Sequence, residues 1–110
     1  MKTKLLFICS RNQWCSPTAE ALFKNHPRYD ARSAGTENGA RIKVTDCHVG
    51  WADVIFCMER KHADRLRDRF EAEIGDKPVI TLRIPDDYLF MDPELVELLR
   101  SELSPYVEIG

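Results

Sequence analysis

The sequence predicts an α/β fold, a small three-layer α/β/α sandwich built on a four-stranded parallel sheet, and three observations carry that prediction. Short apolar runs at 5–9, 54–58 and 79–82 are rich in β-branched or aromatic residues, as in strands buried on both faces. Between them lie segments whose apolar residues recur at helical spacing, so that strands and helices alternate. At 110 residues, 44% hydrophobic and 31% charged, the chain 1–110 is one globular domain with a single sizeable core.

The elements follow in order. The run "LLFIC" ends at Cys9, and six residues later Ser16 and Pro17 suit the N-cap and first position of a helix, because proline there lacks only an N–H that would be unpaired anyway. That helix is expected over 17–25, with Ala19, Leu22 and Phe23 on one face. A weaker strand is expected near 29–33. The segment 34–52, with Gly35, Gly39 and Gly50, reads as loop with one helical turn after Thr45 or Asp46. After the strand at 54–58, a helix over 59–73 carries Ala63, Leu66 and Phe70 on its apolar face. Beyond the strand at 79–82, Asp92-Pro93 reads as the start of a helix over 94–103 with Leu95, Leu98, Leu99 and Leu103 inward. Right-handed crossovers and ligand binding beyond the carboxyl ends of the strands follow from such an order.

Composition excludes several functions. A formal net charge of −2 gives no overall attraction for nucleic acid or an anionic membrane, so any anion site must be local. The start "MKTKLLFIC" has too short an apolar run for a signal peptide or membrane span, which predicts a cytoplasmic protein. Cys9, Cys15, Cys47 and Cys57 are then expected as thiols. They contain no Cys-x-x-Cys spacing, and His26, His48 and His62 form no ligand set with them, so no metal is expected. The mixed-sign run "ERKHADRLRDR" at 59–69 reads as a solvated helix face, and Trp51 as a core residue.

The chemistry is concentrated in "CSRNQWCSPTAEALF", 9–23. Loop amides turned inward and the positive end of the following helix would cradle an anion above Cys9, and such a field favours a thiolate nucleophile. Spacing alone leaves open that Cys9 is a small buried hydrophobe at a strand end. The stretch resembles the active-site loop of the low-molecular-weight protein tyrosine phosphatases: Cys, five residues, Arg, Ser, usually Pro, then a helix. "SAGT" at 33–36 and "ADVIFCMERKH" at 52–62 are similar to that family's second strand and later strand–helix junction, and the likeness covers most of the chain, with 37–51 shorter.

The resemblance implies a phosphotyrosine protein phosphatase I-like fold and a cysteinyl-phosphate intermediate formed at Cys9, without metal or cofactor. Ser10, Arg11, Asn12, Gln13, Trp14, Cys15 and Ser16 would surround the phosphate of a phosphorylated small molecule or phosphotyrosine protein. Asn12 would shape the loop, Ser16 would donate to the sulfur, and Ser33 would hydrogen-bond Asn12. In "RIPDDYLFMDP" the resemblance makes Asp86 the general acid, with Asp87 its rival and Tyr88, with Trp14, a wall for an aromatic group.

One position departs from the pattern. Cys15 stands where the family has the arginine that grips two phosphate oxygens, and a thiol does not reproduce that charged fork. Three accounts follow: Arg11 or Arg83 supplies the charge; Cys9 and Cys15 pair reversibly, in arsenate-reductase-like thiol chemistry with Cys47 or Cys57 as relay; or turnover is lost and a phosphate-binding cradle remains.

Overall fold

Leu5, Leu6, Phe7 and Ile8 are all fully buried, which four consecutive apolar residues achieve only in a strand covered on both faces. They form the core of β1 (Thr3–Cys9), which pairs in parallel with β2 (Tyr29–Gly35) on one side and β3 (Val54–Cys57) on the other. β3 pairs in turn with β4 (Val79–Thr81), giving a four-stranded, all-parallel sheet of order β2-β1-β3-β4. The computed structural model describes residues 2–85 and 87–107.

Period-two alternation divides the core. Leu5, Phe7 and Phe56 face α1 (Cys15–Leu22) and α4 (Pro93–Leu103), packing with Ala19, Phe23, Leu95, Leu99 and Leu103. Leu6, Ile8 and Ile55 face α2 (Asp46–Trp51) and α3 (Arg60–Ile74), packing with Val49, Ala63, Leu66 and Phe70. The predicted three-layer α/β architecture is therefore the observed one. Trp51 packs only at the edge of the second cluster, half-buried, with the Arg32 guanidinium 4.3 Å above its ring.

Some boundaries move, each for a local reason. The Asp92-Pro93 start is as expected, with Asp92 Oδ1 accepting from the Glu94 N–H at 2.9 Å. The turn after Thr45 is a complete short helix capped by Thr45 and His48. The first helix, however, starts at Cys15 with Trp14 as N-cap, so Ser16 is not the cap and its hydroxyl is free for another partner. Pro17 falls at the third helical position, where its missing N–H still costs nothing.

The reversal of strand order lies at β1, whose neighbours are β2 and β3. Crevices at such switch points, outside the carboxyl ends of the strands, are where open α/β sheets bind ligands. The loop that leaves β1 there is the one that begins at Cys9.

Candidate functional site

The loop 10–14 is held from outside by its carbonyls. Ser10 C=O accepts from Glu37 N–H at 2.9 Å, Arg11 C=O from Arg41 N–H at 3.0 Å, and Asn12 C=O from Arg41 Nε at 3.0 Å. In a trans peptide the next N–H points opposite to the carbonyl, so the N–H groups of Arg11, Asn12 and Gln13 turn to the inner side. The Asn12 N–H meets Cys9 Sγ there at 3.1 Å. Three successive inward amides make a concavity beside Cys9 of the kind that suits an anion.

Asn12 is in the left-handed region, φ 56°, which asparagine tolerates better than most residues. Its Nδ2 donates to Ser16 Oγ at 2.8 Å, and the same hydroxyl hydrogen-bonds with Cys9 Sγ at 2.9 Å. Cys9, Asn12 and Ser16 are all buried, and the sulfur has two partners, the Asn12 N–H and the Ser16 hydroxyl. Ser16 lies beside the sulfur, within hydrogen-bond distance, from inside the helix. Asn12 Oδ1 is the one buried side-chain polar atom without a partner among the described residues. Ser33 does not supply it, since its hydroxyl donates to Glu20 on α1.

Gly35 makes this packing possible. A Cβ there would lie 2.7 Å from Ser10 O and 2.7 Å from Ala40 Cβ, too close for any side chain. Ser10 is fixed from the other side by His62: Glu59 N–H donates to His62 Nδ1 at 3.0 Å, so Nε2 carries the proton and donates to Ser10 Oγ at 2.9 Å. Burial pushes the His62 pKa down to about 4, helped by Lys61 and Arg65 and opposed by Glu37, so the ring is a neutral strut near pH 7.

The other loop residues point elsewhere. Arg11 is exposed and turned to Glu37, Nε to Oε2 at 3.4 Å, and Gln13 is exposed. Arg83 lines a different crevice, against α3. Neither guanidinium therefore replaces the expected arginine in this arrangement. The Cys15 thiol, buried, donates to the Pro85 carbonyl at 3.7 Å and is not bonded to Cys9 in this structure. Cys57 is core, with burial raising its pKa to about 12, which removes it as a thiolate relay, and Cys47 is exposed on α2.

The segment bearing the acid candidates is tethered to α1 at both ends. Cys15 holds Pro85, and Met91 N–H donates to Thr18 Oγ1 at 2.9 Å, whose hydroxyl donates to Trp14 C=O at 2.6 Å. Asp87 is exposed on this segment; Asp86 lies outside the described residues. Tyr88 is half-buried against the first core cluster, while Trp14, Leu89 and Phe90 are exposed. Sequence reasoning missed Arg41, Thr18, Glu20 and the inward reach of His62. His62 alone carried a signal, its place three residues after Glu59 as a capping-box partner. Among the described residues no cluster of three or more metal-ligating side chains occurs, and no helix is long and apolar enough to cross a membrane.

No family model and no curated protein sequence matches this chain. Solved structures do. The low molecular weight protein tyrosine phosphatase SP-PTP of Streptococcus pyogenes superposes with a TM-score of 0.78 at 19% identity, over 98% of this chain and 95% of its own. Wzb of Vibrio vulnificus, in complex with benzylphosphonate, gives 0.74 at 19% over 96% and 97%. The YwlE arginine phosphatase of Geobacillus stearothermophilus gives 0.67 at 22% over 96% and 98%. The fold is that of the low-molecular-weight tyrosine phosphatases, over essentially the whole chain.

Proposed function

We propose that this chain attacks phosphomonoesters through Cys9, forming a cysteinyl-phosphate, with turnover slowed by Cys15. The observation that carries the reading is the row of loop amides turned inward beside a sulfur that accepts from the Asn12 N–H and hydrogen-bonds with Ser16 Oγ. Such preorganised donors stabilise the charge of a phosphoryl group in transfer. The likeness to tyrosine and arginine phosphatase structures supports the same reaction class.

In the first step the Cys9 sulfur displaces the alcohol or phenol oxygen from phosphorus. Asp86, or its neighbour Asp87, gives that oxygen its proton and then takes one from the water that cleaves the S–P bond. The substrate is a phosphorylated protein or small molecule. Trp14, exposed at the end of the loop, suits an aryl leaving group. The amides hold the phosphoryl oxygens without a guanidinium fork, and the loss of an arginine in such a role costs about 10³–10⁵ in rate.

Aryl-phosphate hydrolysis by the reduced protein, run beside Cys9→Ser and Cys15→Arg, tests the reading. Slow phosphate release that Cys9→Ser abolishes and Cys15→Arg raises by about 10³ is expected. Activity in Cys15→Arg alone would reduce the natural chain to a phosphate-binding module. Silence in both, with far-UV circular dichroism unchanged, would overturn the phosphatase reading.

A further inference from the structure

A second crevice of about 570 Å³ lies at the same end of the sheet, between the start of α3 and the outer edge of β4. Arg60, Arg67 and Arg83 line it, with Glu59 also in the lining and Val79, Thr81 and Pro85 among the rest of the wall. In a chain whose formal charge is −2, this is a strong local concentration of positive charge. Arg67 and Arg83 make no ion pair among the described residues. Arg60 has only an exposed contact with Asp64 at 3.9 Å, and Glu59, also at the rim, faces Lys61 at 3.7 Å.

Arg83 is aimed into this crevice by its backbone. Leu82 and Ile84 on either side are buried and donate to Cys57 C=O and Met58 C=O, each at 2.8 Å, while Arg83 between them adopts φ 60°. A long side chain in the left-handed region is kept there only where its surroundings demand it, and here the two flanking anchors force the arginine outward.

The wall opposite is an open sheet edge. Pro78 C=O accepts from Ile55 N–H and Leu82 N–H donates to Cys57 C=O, so by alternation the N–H and C=O groups of Val79 and Thr81 point away from β3. An extended peptide fits such an edge. Pro85 joins the crevice to the phosphate loop, because its carbonyl is the acceptor of the Cys15 thiol.

We propose that this crevice binds an acidic peptide segment flanking the phosphorylated residue of a protein substrate, its carboxylates against Arg60, Arg67 and Arg83. The proposal rests on the phosphatase reading of the Cys9 loop. It names the substrate class: phosphoproteins with Asp or Glu beside the modified residue.

Fluorescence anisotropy with three labelled peptides tests it. One carries a non-hydrolysable phosphonate analogue of phosphotyrosine flanked by aspartates, the second the same analogue flanked by asparagines, and the third unmodified tyrosine flanked by aspartates. The acidic phosphonate peptide is expected to bind about ten-fold tighter than the neutral one, with the gap narrowing as salt rises. The double variant Arg67→Gln, Arg83→Asn, whose asparagine suits the left-handed backbone, should close the gap and leave the neutral peptide's affinity unchanged. Equal affinities in the unmodified protein, or an equal loss of both peptides in the variant, would overturn the proposal. So would arginine-dependent binding to phosphatidylglycerol vesicles without preference for the acidic peptide. If the third peptide binds through the arginines while the neutral phosphonate peptide does not bind, the crevice stands and the reading of the Cys9 loop fails.

Discussion

Cys15 and His62 show how a single side chain at the loop decides what the site does. Cys15 opens α1, and its thiol donates to the Pro85 carbonyl, which tethers the segment that carries the acid candidates. The resemblance drew attention to this position, but the contact was not legible, because it joins residues 70 apart. His62 was hidden for the opposite reason. It sits in a run of charges that reads as solvent-facing, and only its 1% exposure reveals the contact with Ser10. Its titration has a definite consequence. The folded chain holds His62 near 4, against 6.5 for the ordinary group, so between those values the unfolded chain binds more protons. Stability attributable to His62 is complete above pH 6.5, falls as the pH drops towards 4, and levels off below; the span is worth up to about 3 kcal/mol. Urea unfolding of the natural chain and His62→Gln at pH 7.5 and 5 should show the natural chain losing more stability on acidification. An identical loss in both would show that His62 is not the group responsible.

At the scale of elements, the sequence was most legible where periodicity was strong and least where two uses competed for one residue. Leu95, Leu99 and Leu103 marked α4, and Asp92 its start, because nothing else claims those side chains. Ser16 was misread as a cap because cap chemistry is a local signal, whereas its hydroxyl is taken by Cys9 and Asn12 from the loop before it. The 34–52 segment had three glycines that looked alike in sequence and differ in the fold. Gly35 ends β2 where a Cβ would lie 2.7 Å from Ser10 O in the Cys9 loop, whereas nothing lies within 4 Å of a Cβ at Gly50, inside α2. Gly35→Ala should therefore cost about 1–3 kcal/mol through overpacking and weaken phosphate binding. Gly50→Ala should stabilise by about 0.5–1 kcal/mol with binding unchanged, since alanine removes backbone freedom from the unfolded chain and favours helix. Thermal melts of both, with and without phosphate, check the contrast. A harmless Gly35→Ala would mean that the loop does not pack against β2 as described.

The whole molecule ties both helical layers to one site. β1 sends Leu5 and Phe7 into one layer and Leu6 and Ile8 into the other, and its last residue is the candidate nucleophile. The first layer reaches the loop through Ser16 and Thr18 on α1, and the second through His62 on α3. This arrangement was readable from alternation and length, while the net charge concealed a basic crevice because it averages over the surface. A strand shared by two cores predicts that neither layer melts alone. Leu99→Ala, at a fully buried position in the α1/α4 layer, should remove about 2–5 kcal/mol, a large share of the stability of a domain this size. It should lower the melting temperature by about 10 °C or more. Far-UV circular dichroism and the fluorescence of Trp14 and Trp51, which lie in the loop and on the opposite layer, should still fall together in one transition. If Trp51 kept its native signal after the α1/α4 layer had melted, the sheet would be two weakly coupled halves, and the loop between them would not be held rigidly enough to keep its amides on the Cys9 sulfur.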